Sequence, residues 1–243
     1  MKSENKKANK ASEEKNYLVE YGLLSKSNFE NSLSAQLLLS IQPNLESFSQ
    51  KIPSKYIDAI WNKALADPRL TRDIRGKFFE LLIATCLIKN KILPFFWQAQ
   101  LEFVPLANFD LIVYTEERGP IVLSLKTSIR ERYKQAEFEA QAMKDVHRRA
   151  KNFLVTMESE EALSLQSKID TGVLAGIDGA IVANNETFDK LIKFLKNLTI
   201  IDSPVFTAIQ NPKRINLVKP RISPPAVKAG KVQKDNPDNL RKK

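Results

Sequence analysis

The chain has 243 residues, 43% of them hydrophobic, and a formal net charge of +10 at pH 7. That apolar content can bury a real core, which excludes a disordered polymer as a description of the whole chain. No run approaches the roughly 18 apolar residues of a membrane span, no apolar stretch follows the N-terminal charges as in a secretory signal, and a single cysteine, Cys86, excludes an internal disulfide and a cysteine-based zinc site.

A soluble, cytoplasmic protein without a membrane partner is therefore expected. The charge is uneven: residues 213–243 hold ten Lys/Arg against two Asp, residues 1–16 hold five Lys against three Glu, and the remainder is close to neutral. Such a basic end is either a solvated tail or a source of non-specific attraction to nucleic acid.

Residues 1–16 carry no apolar periodicity and are expected to be disordered. Helical pieces follow at 17–24, 32–41 and 54–66, the last supported by Tyr56, Ile57, Ile60, Trp61 and Ala64 at helical spacing. A longer helix spans about 73–89, with Phe78, Phe79, Leu82, Ile83, Cys86 and Leu87 as a broad buried stripe. Within it Glu80 is a charge among apolar neighbours, and Gly76, one turn earlier, would allow another backbone to approach closely.

Strands are expected at 97–104, 109–114 and 120–126. Ser128 and Glu131 have capping-box spacing for a helix over 129–150, whose inward face would be Tyr133, Ala136, Ala140, Met143, His147 and Ala150. A strand at 153–157, a helix at 159–169, a strand at 178–182, a helix from Asn185/Glu186 to Leu198 and a last strand at 204–209 complete the pattern. This alternation predicts an α/β fold with a mixed central sheet flanked by helices: one domain over 17–212, with 213–243 as an extended tail rich in Pro and Lys.

The second and third strands carry the unusual residues. Asp110 opens the run 109–114, and Ser124 and Lys126 close the run 120–127 around the turn 115–119. Hairpin symmetry about residue 118 places Asp110 almost opposite Lys126, with Ser124 on the same face because side chains alternate with period 2. A carboxylate and an ammonium so placed form either a hairpin-end ion pair or the minimum pair for phosphodiester hydrolysis. In the second case Mg²⁺ is held by the carboxylate and the lysine stabilises charge at the phosphoryl group. His147 is the sole histidine, so a His-metal triad is excluded, and packing accounts for it as it does for Phe95, Phe96 and Trp97.

A helix with Gly-x-x-x-Glu, a hairpin carrying Asp, then x-x-Lys at the end of the next strand resembles the PD-(D/E)XK nuclease superfamily. The resemblance implies a restriction-endonuclease-like αβββαβ core over about 72–156. It also implies Glu80 as the core-helix acid, Asp110 as the metal-binding Asp and Lys126 as the lysine of the motif. Phe109 replaces the usual proline, and Ser124 stands where a second acid is expected.

Some restriction enzymes of the superfamily share Ser-x-Lys and take the missing carboxylate from the following helix, where this chain offers Glu137 and Glu139. Relative to Ala136 they fall at about 100° and about −60°, so both flank the inward stripe, Glu139 slightly nearer and favoured, with Glu137 as the alternative. The segment beyond Lys126 supplies Thr127, Ser128, Arg130, Arg132 and Lys134 at a helix start, a setting suited to DNA phosphates. The implied function is a Mg²⁺-dependent type II restriction enzyme cutting double-stranded DNA as a homodimer. The alternatives are a repair or mobile-element nuclease of the same superfamily, a non-catalytic DNA-binding protein on a decayed nuclease fold, and an interaction protein in which the trio is only an ion pair.

Overall fold

The computed structural model describes residues 16–101, 107–130, 132–202, 209–210 and 213–215. The N-terminal part is helical: α1 (Tyr17–Glu20), α2 (Lys26–Glu30), α3 (Leu33–Ile41), α4 (Pro53–Leu65) and α5 (Arg72–Lys89). Side-chain oxygens of Asn16, Ser25 and Ser32 accept backbone N–H bonds at the starts of α1, α2 and α3, and Pro53 begins α4. Each satisfies or removes an N–H that would otherwise lack a partner. From Phe78 to Ile88, α5 is buried at every position except Glu80, as expected of a helix packed on several sides.

The sheet follows: β1 (Phe95–Leu101), β2 (Asn108–Thr115) and β3 (Gly119–Leu125), then α6 (Arg132–Val146), β4 (Lys151–Thr156), α7 (Ser159–Asp170), β5 (Gly179–Val182) and α8 (Glu186–Lys196). Strand order is β5-β4-β3-β2-β1, with β1–β2 and β2–β3 antiparallel and β3–β4 and β4–β5 parallel. Two short strands, β6 (Ile209–Gln210) and β7 (Lys213–Ile215), pair with opposite halves of β1. The parallel joins require crossovers, which α6 and α7 supply.

One face of the sheet presents Leu111, Val113, Ile121, Leu123 and Val155 to a large core shared with α1, α3, α4, α5 and α8. The other face packs Ile112, Val122 and Leu154 under α6 and α7. Burial on both faces explains why β2 and β3 read as near-continuous apolar runs. The fold is therefore an α/β sandwich around a mixed open sheet. No helix among the described residues is long and apolar enough to cross a membrane.

Several expectations shift. The hairpin turn is the three residues 116–118, and Thr115 pairs with Gly119 at φ +75°. The centre is thus residue 117, and Leu111↔Leu123 puts Asp110 across from Ser124 rather than Lys126. The helix expected over 129–150 runs only over Arg132–Val146, so Ser128 is not its cap; Glu131 lies outside the described residues. His147 follows the end of α6 and meets the Tyr114 ring edge-on, and burial pulls its pKa down.

A Cβ on Gly76 would meet nothing within 4 Å, so no close backbone approach explains that glycine. The sheet also extends past 212 to Ile215, into the segment expected to be tail. Residues 1–15 and 216–243, and positions 102–104 and 204–208 of two expected strands, lie outside the described residues.

Candidate active site

The sequence placed the polar trio on one strand face, and the structure assembles it at the carboxyl end of β3. Asp110 Oδ2 accepts from the Leu125 backbone N–H at 2.7 Å and from Lys126 Nζ at 2.9 Å. Both bonds fall on one oxygen, and Oδ1 takes neither. Lys126 reaches Asp110 diagonally, two residues beyond the directly opposed Ser124, a span well within the length of a lysine side chain. Asp110 and Ser124 are 9% and 8% exposed and the Lys126 side chain 18%, so the Asp110–Lys126 pair is largely withdrawn from solvent.

The fourth member comes from α6. Glu139 lies on the inward stripe with Ala136, Ala140 and Met143 and is 5% exposed. Gln135, one turn earlier, donates Nε2 to Glu139 Oε1 at 2.8 Å. Burial pushes the Glu139 carboxyl above its ordinary value; the Gln135 bond and the charge of Lys126 pull it back, while the charge of Asp110 adds to the rise. These influences place Glu139 in electrostatic reach of both Asp110 and Lys126.

Glu137 is engaged elsewhere. Its Oε1 accepts from Ala175 N at 2.9 Å and Gly176 N at 2.7 Å, and its Oε2 from Ile177 N at 3.0 Å. It secures the loop before β5 against α6, where a Cβ on Gly176 would come within 2.8 Å of the α6 backbone. Of the two α6 carboxylates offered by the sequence, only Glu139 faces the trio.

Glu80 stands apart as well. Its Oε2 accepts from Lys77 Nζ at 2.8 Å and Gln98 Nε2 at 3.0 Å, and Lys77 lies 4.5 Å over the Trp97 ring. Gln98 has φ +48°, a left-handed backbone that an L residue adopts at a cost, and the β1–β2 register puts it across from Asp110. Glu80 is thus held by Lys77 and Gln98, and among the described residues it makes no hydrogen bond or ion pair with the trio. Among the described residues no three His, Cys, Asp or Glu side chains come together as a ready-made metal cage.

Beyond Lys126 a cleft of about 1080 Å³ opens at the carboxyl ends of β3 and β4. Thr127, Ser128, Arg130 and Arg132 line one side, and Arg72, Arg75 and Gly76 from the first turns of α5 line the other, with Asp73, Glu158 and Glu161 among them. Lys134 lies on the exposed side of α6, outside the lining. Sequence reasoning missed Gln98, Gln135, Arg72, Arg75 and Glu161. The i,i+4 spacing of Gln135 and Glu139 could have flagged that pair. Nothing local marks the others.

A Mg²⁺ ion is commonly bound by one or two protein carboxylates, with waters and substrate phosphates completing its shell. Asp110, whose Oδ1 accepts no hydrogen bond among the described residues, and a desolvated Glu139 fit that donor set; a closed all-protein cage is not needed. Comparison with protein-family models, with curated proteins and with solved structures finds no match to this chain.

Proposed function

We propose that the protein is a Mg²⁺-dependent DNA endonuclease of the PD-(D/E)XK type, acting on double-stranded DNA as a type II restriction enzyme. The observation that carries the reading is the Asp110–Lys126 pair at 2.9 Å, with the buried Glu139 of α6 in electrostatic reach of both. The element order α5, β1, β2, β3, α6, β4 is that of the αβββαβ core and supports it.

Asp110 and Glu139 would hold the ion, which supplies Lewis acidity and a water of lowered pKa. Lys126, fixed by Asp110, holds its ammonium toward the position of the phosphoryl group and stabilises charge that develops there. Ser124, across from Asp110, offers a hydroxyl that can orient a water. Leu125 N–H fixes the Asp110 rotamer, leaving Oδ1 for the ion. The arginine-lined cleft beyond Lys126 receives the flanking phosphates. Action on palindromic sites would be the work of a homodimer.

A non-catalytic DNA-binding protein on the same fold is favoured by two observations: Ser124 stands where a second acid is expected, and Glu80 is already bound to Lys77 and Gln98. Incubating the protein with a long DNA, with and without Mg²⁺, and sequencing the ends separates the readings. Uniform ends at one sequence support the restriction enzyme, varied ends a repair or mobile-element nuclease. Intact DNA that is nevertheless bound supports the non-catalytic protein.

A further inference from the structure

The lining of the cleft contains an anion already bound to the loop after β3. Glu161 of α7 accepts the Ile129 backbone N–H on Oε2 at 2.5 Å, and its Oε1 lies 3.5 Å from Ser128 Oγ and 3.8 Å from Arg130 Nε. A backbone N–H, a hydroxyl and a guanidinium converging on one carboxylate make a donor set that would serve a phosphate equally well. Arg130 has φ +26°, so the loop turns sharply where these donors converge. The contact spans 32 residues of sequence and leaves the Glu161 side chain 29% exposed, so the bound carboxylate is not sealed into the core.

Across the cleft, Arg75 Nε is buried with no hydrogen-bond partner among the described residues. An arginine lining a cleft with a desolvated, unused donor is costly unless a ligand completes it. The four arginines Arg72, Arg75, Arg130 and Arg132 are nearly balanced by Asp73, Glu158 and Glu161. Attraction of an anion therefore depends on specific donors rather than on a broad positive field.

We infer that this cleft contains a phosphate-binding subsite in which Glu161 is an internal stand-in for the phosphate. The subsite takes a phosphodiester of the nucleic-acid backbone, which displaces the Glu161 carboxylate from Ile129 N–H, Ser128 and Arg130 and gains Arg75 from the opposite wall. This rests on the reading that the chain handles DNA, and it adds a cost of entry that the sequence motif does not contain. Glu161 keeps the loop ordered when no DNA is bound and must yield when DNA arrives.

The test is affinity of the full chain for a short fluorescent DNA duplex in EDTA, across a salt series, so that no cleavage is involved. Glu161→Gln keeps a carbonyl oxygen for Ile129 N–H but removes the competing charge. It should bind about three- to tenfold more tightly, because the phosphate no longer has to displace a carboxylate. Glu158→Gln removes a charge from the same cleft that caps no N–H with its side chain, and should change affinity much less.

Unchanged or weaker binding by Glu161→Gln, or an equal gain in Glu158→Gln, overturns the inference. Should circular dichroism show Glu161→Gln unfolded, Arg75→Gln decides: an about three- to tenfold loss supports the subsite, and unchanged affinity removes it. Because binding is read without metal, a failure of Mg²⁺-dependent cleavage would defeat the nuclease reading alone. A DNA-cutting protein whose Glu161→Gln variant binds as the wild type would defeat this inference alone.

Discussion

Glu139 makes the most demanding prediction, because the same carboxylate should harm stability and serve chemistry. It is 5% exposed, accepts one hydrogen bond from a neutral amide, and no ion pair holds it among the described residues. Desolvation outweighs the attraction of Lys126, since its carboxyl is raised above the ordinary value. A carboxyl that binds its proton more tightly folded than unfolded contributes stability at low pH, present below the unfolded value of about 4.3. That stability is lost as pH rises through the raised folded value.

Glu139→Gln keeps the shape and an acceptor for Gln135 but removes the charge. At pH 8 it should stabilise the protein by about 1–2 kcal/mol, the range for relieving an incompletely satisfied buried polar group. For a domain of this size that is an increase of about 2–8 °C in Tm. The gain should shrink toward zero as the pH is lowered and wild-type Glu139 becomes protonated. In the same variant Mg²⁺-dependent cleavage should be lost. Thermal melts of both proteins across the pH series provide the readout. A lower Tm for Glu139→Gln at pH 8, or a gain that does not depend on pH, would refute the reasoning.

Other substitutions separate structural from functional carboxylates and test the fold. Glu137→Ala strips the acceptor from three backbone N–H groups at 175–177. It should cost about 2–3 kcal/mol, seen as a Tm lower by about 4–12 °C, while cleavage per folded molecule persists below the melt; loss of cleavage in a folded variant would return Glu137 to the site. Gly76→Ala, with open space around the added Cβ, should stabilise by about 0.5–1 kcal/mol in a chemical denaturation curve; destabilisation would mean that something packs there. Removing residues 220–243, which are rich in Lys and Arg, should weaken DNA association and flatten its salt dependence without altering the sequence cut. An altered cut site would contradict that.

Sequence legibility followed the range of the interactions. The Asp110/Lys126 pairing was readable because a period of 2 fixes the shared face, and a lysine is long enough to tolerate an error of one pairing step. The error came from the turn: its residues 116–118 and a strand beginning at Gly119 move the centre from 118 to 117. Helical angle favoured Glu139 over Glu137 only slightly, since both flank the inward stripe. What distinguishes them is a loop 38–40 residues away that captures Glu137.

Ser128 and Glu131 had the spacing of a capping box, yet Ser128 lies near Glu161, 33 residues on, and the helix begins only at Arg132. A tertiary carboxylate replaced the local cap. Gln98 is the clearest omission. Its left-handed backbone and its bond to Glu80 depend on α5 crossing beside β1, which no local pattern in 95–101 encodes.

The central claim is that Lys126, held by Asp110, serves the chemical step of phosphodiester cleavage. It is tested most directly by comparing single-turnover cleavage and DNA binding of wild type and Lys126→Ala. The account predicts that the wild type cuts only with Mg²⁺, and that Lys126→Ala binds DNA with nearly wild-type affinity but loses cleavage by about 10²-fold or more. Cleavage by Lys126→Ala at the wild-type rate, or a wild type that leaves DNA intact with Mg²⁺ present, would contradict it.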